Sequence, residues 1–376
     1  MRTALGLSLL VLGVSFTMGC GPGQPVSEPI TNTVQGETIN SSVVKLDSGL
    51  VLMVGGRPKE PPPPEGNWDE ETKKKMAFSA LYDPEKNEWK KTGDIVQPRQ
   101  LASAVKLSTG EVMLSGGKCP SSGRFINAVE LYDPVAGTWK TISDWENPRY
   151  GHQSTLLPSG KVLVTGGRVW SKAPSGKEGE ASTTGAELYD PATHQWSSAG
   201  GMIQSMRDAT LTLLGSGEVM VLSSHGVEIY NPESNTWRRE KAPPFVALHG
   251  HAATHLDSGE LLVTGGTNGY SLSSTALYDP SEKTWVAGPP LNQAHWNHKT
   301  IALTGGKALV IGGFGDIELY TPPPTSDTDS KGSWTHLAKT PRPYNKGNAI
   351  LLPKNKVLLW GAMDEEPSWL LFTLPE

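Results

Sequence analysis

The 376-residue chain has only two cysteines, Cys20 and Cys119. That excludes a disulfide framework and any cysteine-rich metal cluster. Charge is sparse as well: Asp, Glu, Lys and Arg make up 19% of residues, and the net charge is −5. With no basic surplus, the chain carries no field to gather nucleic acid or anionic lipid. Familiar catalytic signatures are also missing. Gly176-Lys177 is followed by Glu178 and Gly306-Lys307 by Ala308, so neither forms a phosphate loop. "DTDSKG" (327–332) starts like a calcium loop but places Lys331 at the fifth position and Ala338 at the twelfth. No Ser-His-Asp or Cys-His arrangement can be read from spacing alone.

Long apolar runs are missing too. The uncharged stretch after Arg2, "TALGLSLLVLGVSFTMG", is shorter than the roughly 20 apolar residues a spanning helix needs. A basic start, a short apolar run and small residues at its end mark a secretory signal. Cys20 closes the run, which points to a bacterial lipoprotein signal with Cys20 as the acylated residue. Residues 1–20 are therefore read as signal peptide and 21–35 as a linker with a closing strand. Residues 36–376 remain for one folded domain. The expected location is the cell envelope, lipid-anchored or secreted, with membrane contact only through the N-terminal lipid.

Glycine (42) and proline (30) are abundant, and many tight turns follow from that. A repeat organises them. The apolar run ending in two glycines appears as "VLMVGG" (51–56), "VMLSGG" (112–117), "VLVTGG" (162–167), "LLVTGG" (261–266) and "ALVIGG" (308–313). It lapses to "VMVLSS" (219–224) and "VLLWGA" (357–362). A second signature follows: "ALYDPEKNEW" (80–89), "ELYDPVAGTW" (130–139), "ELYDPATHQW" (187–196), "EIYNPESNTW" (228–237), "ALYDPSEKTW" (276–285) and a stretched "ELYTPPPTSDTDSKGSW" (318–334). The tryptophans are spaced by 50, 57, 41, 48 and 49 residues. Each unit reads as four short strands, the last beginning at the tryptophan. Tyr and Trp bring roughly 150–250 Å² each to pack one unit on the next.

The double glycine, the tyrosine and the tryptophan six residues after the aspartate resemble the kelch repeat, the four-stranded blade of kelch β-propellers. The resemblance covers nearly all of the chain after residue 36. It implies an all-β, seven-bladed kelch-type β-propeller. The last unit has three strands, so "PITNTVQG" (29–36) is expected to supply its fourth, leaving no open edge. Six blades with stray ends is the alternative.

Strand direction alternates, so the two long connection types share one face: those after the double glycine and those after the tryptophan strand. Function concentrates on long loops held by a rigid scaffold. Aromatics gather in these loops, among them Phe125, Phe245 and Tyr344. The candidate binding residues are Trp68, Arg99, Trp145, Arg149, Tyr150, Trp170, Tyr270 and Trp296. Exposed aromatics suit sugar rings or peptide side chains, and arginines suit a carboxylate. Arg99, Arg149 and Arg207 also recur near one register, which fits structural pairing. His152, His251 and His298 each stand eight residues before a turn glycine, matching the kelch R-x-x-H pattern and a repeated packing role. His249, His251 and His255 share strand parity, yet no acidic or thiolate ligand joins them.

The chain therefore reads as a monomeric, non-catalytic scaffold for a glycan or a protein, with no cofactor, metal or nucleic-acid partner. Two enzymes are alternatives: a galactose-oxidase-like copper oxidase, and a periplasmic sugar-acid mutarotase or epimerase. The first needs a cysteine just ahead of an innermost strand, and Cys119 instead follows a double glycine.

Overall fold

The computed structural model describes residues 26–29, 38–58, 72, 76–172, 176–205, 209–244, 246–312, 315–324, 331–340, 348–363 and 366–374. Seven four-stranded antiparallel sheets form the architecture. Blade 1 takes Ser42–Lys45, Val51–Val54, Ser79–Asp83 and Glu88–Lys91. Blade 2 runs from Ser103–Lys106 to Thr138–Asp144, and blade 3 from Gln153–Leu156 to Gln195–Gly201. Blades 4, 5 and 6 open with Thr210–Leu213, His251–His255 and Lys299–Ala302. The first strands of successive blades touch one another around the axis, so each sheet runs outward in chain order.

Blade 7 holds Asn348–Leu351, Lys356–Met363 and Glu366–Thr373. Its outermost strand is Val26–Pro29, pairing Val26 with Thr373 and Pro29 with Leu370. The N-terminal segment thus completes the last blade, as expected. The pairing residues lie a few positions before the expected 29–36, and residues 30–37 fall outside those described.

The repeat signature acts locally. Tyr and Trp sit directly across the third and fourth strands, with ring centroids 5.1 Å apart in Tyr82–Trp89 and 5.0 Å in Tyr132–Trp139. The aspartate before the proline caps its own turn: Asp83 Oδ1 accepts from the Glu85 and Lys86 amides at 2.9 and 3.2 Å. Four residues after that Asp or Asn the backbone turns left-handed, at Asn87, Gly137, His194, Asn235 and Lys283. The indole then reaches the preceding blade. Trp237 Nε1 donates to Ala199 O, and Trp285 Nε1 to Lys241 O, both at 2.8 Å.

The double glycine has a different task. Gly117 N–H donates to the Arg149 carbonyl of the next blade at 2.9 Å. A Cβ on Gly116 would lie 2.3 Å from that same oxygen, so only glycine permits the approach. Blade 4, where Ser223 and Ser224 replace the pair, instead closes a tight hairpin through His225 to Gly226.

Candidate functional site

Linkers and long loops do share one face. Gln100 bridges Lys118, Tyr150 bridges Arg168, and Leu272 bridges His295. On this face a recurrent brace links the linkers entering blades 2, 4 and 6 to the third strand of the blade each enters. In blade 2, Glu130 accepts from the Val96 and Gln97 amides at 2.7 and 3.0 Å. Glu228 accepts from Ile203 and Gln204 at 2.7 and 2.9 Å, and Glu318 from Asn292 and Gln293 at 2.7 and 2.9 Å. Arg99 completes the brace in blade 2. It is wholly buried, pairs with Glu130, and donates to Ala128 O at 2.6 Å. His295 takes that place in blade 6, its Nε2 3.1 Å from Glu318 Oε1. Burial alone would raise Glu318; the bonds from His295, Asn292 and Gln293 overcome it and hold the carboxyl below its ordinary range.

Blade 3 departs from this pattern. Glu187 accepts from side chains: Trp145 Nε1 at 3.0 Å, Asn147 Nδ2 at 2.9 Å, and Arg149. Trp145 stands where Ile95, Met202 and Leu291 stand in the other linkers. Its larger ring stacks on Trp196 at 4.6 Å and 5°, with the Arg149 guanidinium 4.9 Å from its centre. Beside this assembly opens a cleft of about 890 Å³ between blades 2 and 3. Trp145, Arg149 and Ala186, all buried, form its floor, and Phe125 and Trp170 stand at its rim. Trp170 is 61% exposed and meets Phe125 edge-on at 6.4 Å. It is carried by an extra hairpin, Arg168–Lys172 paired with Glu178–Ser182.

Three comparisons meet this geometry. The Kelch motif family model matches residues 249–292. Human Kelch-like protein 34 is 27% identical over 199 residues, which is 47% of this chain and 28% of that protein. Human Kelch-like protein 33 is 33% identical over 96 residues, 23% of this chain and 18% of that protein. Together with the seven closed blades, this decides the architecture. The chain is a kelch-repeat β-propeller. It matches less than a third of the length of either relative. Among solved structures, a chain described as a "novel fungal alcohol oxidase with catalytic diversity among the AA5 family, in complex with copper" superposes with a TM-score of 0.70. Identity is 16%, covering 94% of this chain and 77% of that one, so the likeness is one of fold.

The kelch propeller distributes its sequence candidates unevenly. Trp145, Arg149 and Trp170 come together at the cleft. Tyr150 adjoins it through Phe125, ring centroids 5.4 Å apart. Its hydroxyl donates to Glu180, Lys118 Nζ lies 4.3 Å from its ring centre, and burial followed by Glu180 pushes it up to about 12. Arg99 lies apart, committed to Glu130 and closed to solvent. Trp145, expected as an exposed platform, is buried. Tyr270, 83% exposed, and half-buried Trp296 belong to the loops of blades 5 and 6 and do not line the cleft. Trp68, Phe245, Tyr344, Arg207 and Cys20 lie outside the described residues. Sequence reading passed over the polar wall, including Asn147, Gln195, Ser197 and Ser198; these sit on ordinary strand and linker positions and carry no motif.

The kelch histidines pack rather than ligate. His152 Nε2 meets Ser115 Oγ at 3.1 Å, and His298 Nε2 meets Thr264 Oγ1 at 2.7 Å, each in the preceding blade. His251 meets Thr210 in the same way at 2.9 Å. No three His, Cys, Asp or Glu side chains gather as a metal-holding group among the described residues. Cys119 is buried with Ile126 and Ala128, its sulfur 3.4 Å from Ser121 Oγ. These residues do not fit a copper centre with a cysteine-linked tyrosine.

Proposed function

We propose that this propeller is an exported, non-catalytic binding scaffold whose long-loop face recognises a glycan or a protein at blades 2 and 3. One observation carries the reading: Trp170 stands 61% exposed on a hairpin at the rim of a preformed cleft. A large exposed aromatic on a rigid mount is a low-entropy contact surface. Kelch propellers generally mediate protein interaction, which supports the class of function. The closed ring of seven four-stranded blades, none of them left a strand short for a second chain to complete, supports a monomer.

Screening the folded domain against glycan and peptide arrays tests the reading. Trp170→Ala should weaken the strongest binder at least tenfold; unchanged binding would move the site elsewhere. Export and anchoring rest on residues 1–20. Palmitate labelling that persists in Cys20→Ser would refute acylation there.

A further inference from the structure

The cleft between blades 2 and 3 has a chemistry narrower than a generic docking face. Its floor is locked. Glu187 gathers Trp145 Nε1, Asn147 Nδ2 and the Arg149 guanidinium, and Arg149 also donates to Gly185 O at 2.7 Å. The one lining guanidinium among the described residues is thereby committed. His194 binds the Tyr189 hydroxyl through Nδ1, 2.7 Å away. Two carboxylates, Asp144 and Glu146, line the cleft exposed and without a salt bridge among the described residues. An anionic ligand would meet repulsion and, among the described lining residues, no free cation.

The remaining exposed wall is Gln195, Ser197 and Ser198, with the Asn147 side chain fixed above Glu187. These groups accept and donate within one narrow space. The apolar part of the floor is sealed, since Trp145 is 1% exposed, so the cleft offers no deep socket for an anchoring peptide side chain. The exposed apolar surface is instead the Trp170 indole at the rim. A basic peptide would satisfy Asp144 and Glu146, and the titration below separates it from a neutral sugar. A sugar ring answers every part. Each hydroxyl both donates and accepts, and the C–H face of the ring is flat, apolar and able to cover an indole. The volume of about 890 Å³ lies in the range of ordinary ligand sites, roughly 300–1,000 Å³.

We infer that the cleft bounded by Trp170, Asp144, Glu146, Gln195 and Ser197 binds an uncharged oligosaccharide, with a ring stacked on Trp170 and hydroxyls donating to the two carboxylates. This rests on the scaffold reading above and narrows its ligand to a neutral glycan.

The test is calorimetric titration of the folded domain with four-residue gluco-, xylo-, manno- and galacto-oligosaccharides. Oligogalacturonate, chitosan oligomers and a Lys/Arg-rich peptide run in parallel. At least one neutral series should bind, and oligogalacturonate should not. Trp170→Ala should weaken that binding tenfold or more, and Glu146→Gln should weaken it several-fold. Val135→Ala, at an exposed turn on the opposite face, should leave it unchanged. Thermal melts of each variant separate lost binding from lost fold. No neutral binder, or a neutral binder indifferent to Trp170→Ala, overturns the inference. Trp170-dependent binding of the basic peptide or chitosan alone also overturns it while leaving the scaffold reading intact. Binding of no probe on any array would defeat both.

Discussion

At the scale of single residues, charge is spent on holding loops in place. Arg99 and Glu130 form an ion pair with both side chains fully buried. Removing one partner strands the other charge in a poorly solvated site. Arg99→Met should therefore cost about 3–5 kcal/mol of stability, measured by urea unfolding. Arg99→Met with Glu130→Gln should recover part of it, because the stranded charge is gone. A loss under 1 kcal/mol would mean that the linker relaxes and rehydrates the carboxylate. The histidines predict a pH dependence. Burial, aided by nearby Arg149, depresses His152 from 6.5 to about 3, and burial depresses His251 to about 4 and His298 well below 6.5. The folded forms are neutral, while the unfolded chain takes up protons below 6.5. Their contribution is therefore complete above about pH 6.5 and lost as pH falls toward 4. The slope is about 1.4 kcal/mol per histidine for each pH unit. Unfolding midpoints at pH 7.5 and 4.5 give the slope. His152→Gln should flatten it, and a slope unaffected by that change would assign the acid response to carboxylates.

At the scale of elements, the repeat marks were legible because each is a local device. The Asp-Pro turn, the Tyr–Trp cross-strand pair and the double glycine each serve one short-range geometry, and all lie where the letters place them. The site was less legible. Trp145 looked like a loop aromatic, yet it occupies the apolar linker register of Ile95, Met202 and Leu291. Aligning the linkers as well as the strands would have exposed this. Its consequence, an indole in place of two backbone amides at Glu187, depends on three-dimensional fit that no spacing encodes. Replacing Trp145 with Ile, the residue of blade 2, should draw the Glu146 and Asn147 amides onto Glu187 and narrow the cleft. Amide hydrogen exchange should then show those two amides slowed in the variant; equally fast exchange would mean that the linker geometry is set elsewhere.

At the scale of the whole molecule, the ring is held by two kinds of seam. Six blades are each made from one continuous stretch of chain, and the seventh joins Val26–Pro29 to Glu366–Thr373. A chain beginning at residue 40 lacks that outer strand and exposes the Glu366–Thr373 edge, whose Leu370, Leu371 and Phe372 are apolar core residues. It should aggregate or melt at least several degrees lower, as light scattering and calorimetry would report. A melt equal to that of the longer chain would show the strand to be dispensable.

The same seam imposes an order of events. Val26 leaves the ribosome early and must wait for Thr373, its partner. Until then blades 1 to 6 can form from local hairpins, but the circle stays open, with the apolar faces of blades 1 and 6 that pack on blade 7 still uncovered. Loop-closure cost grows only slowly with length, so waiting is costly in time more than in stability. The open intermediate, with that apolar surface exposed, is the species most prone to association. Residues 26–29 thus stay unpaired until the last blade arrives, and only then is the molecule past its most vulnerable interval.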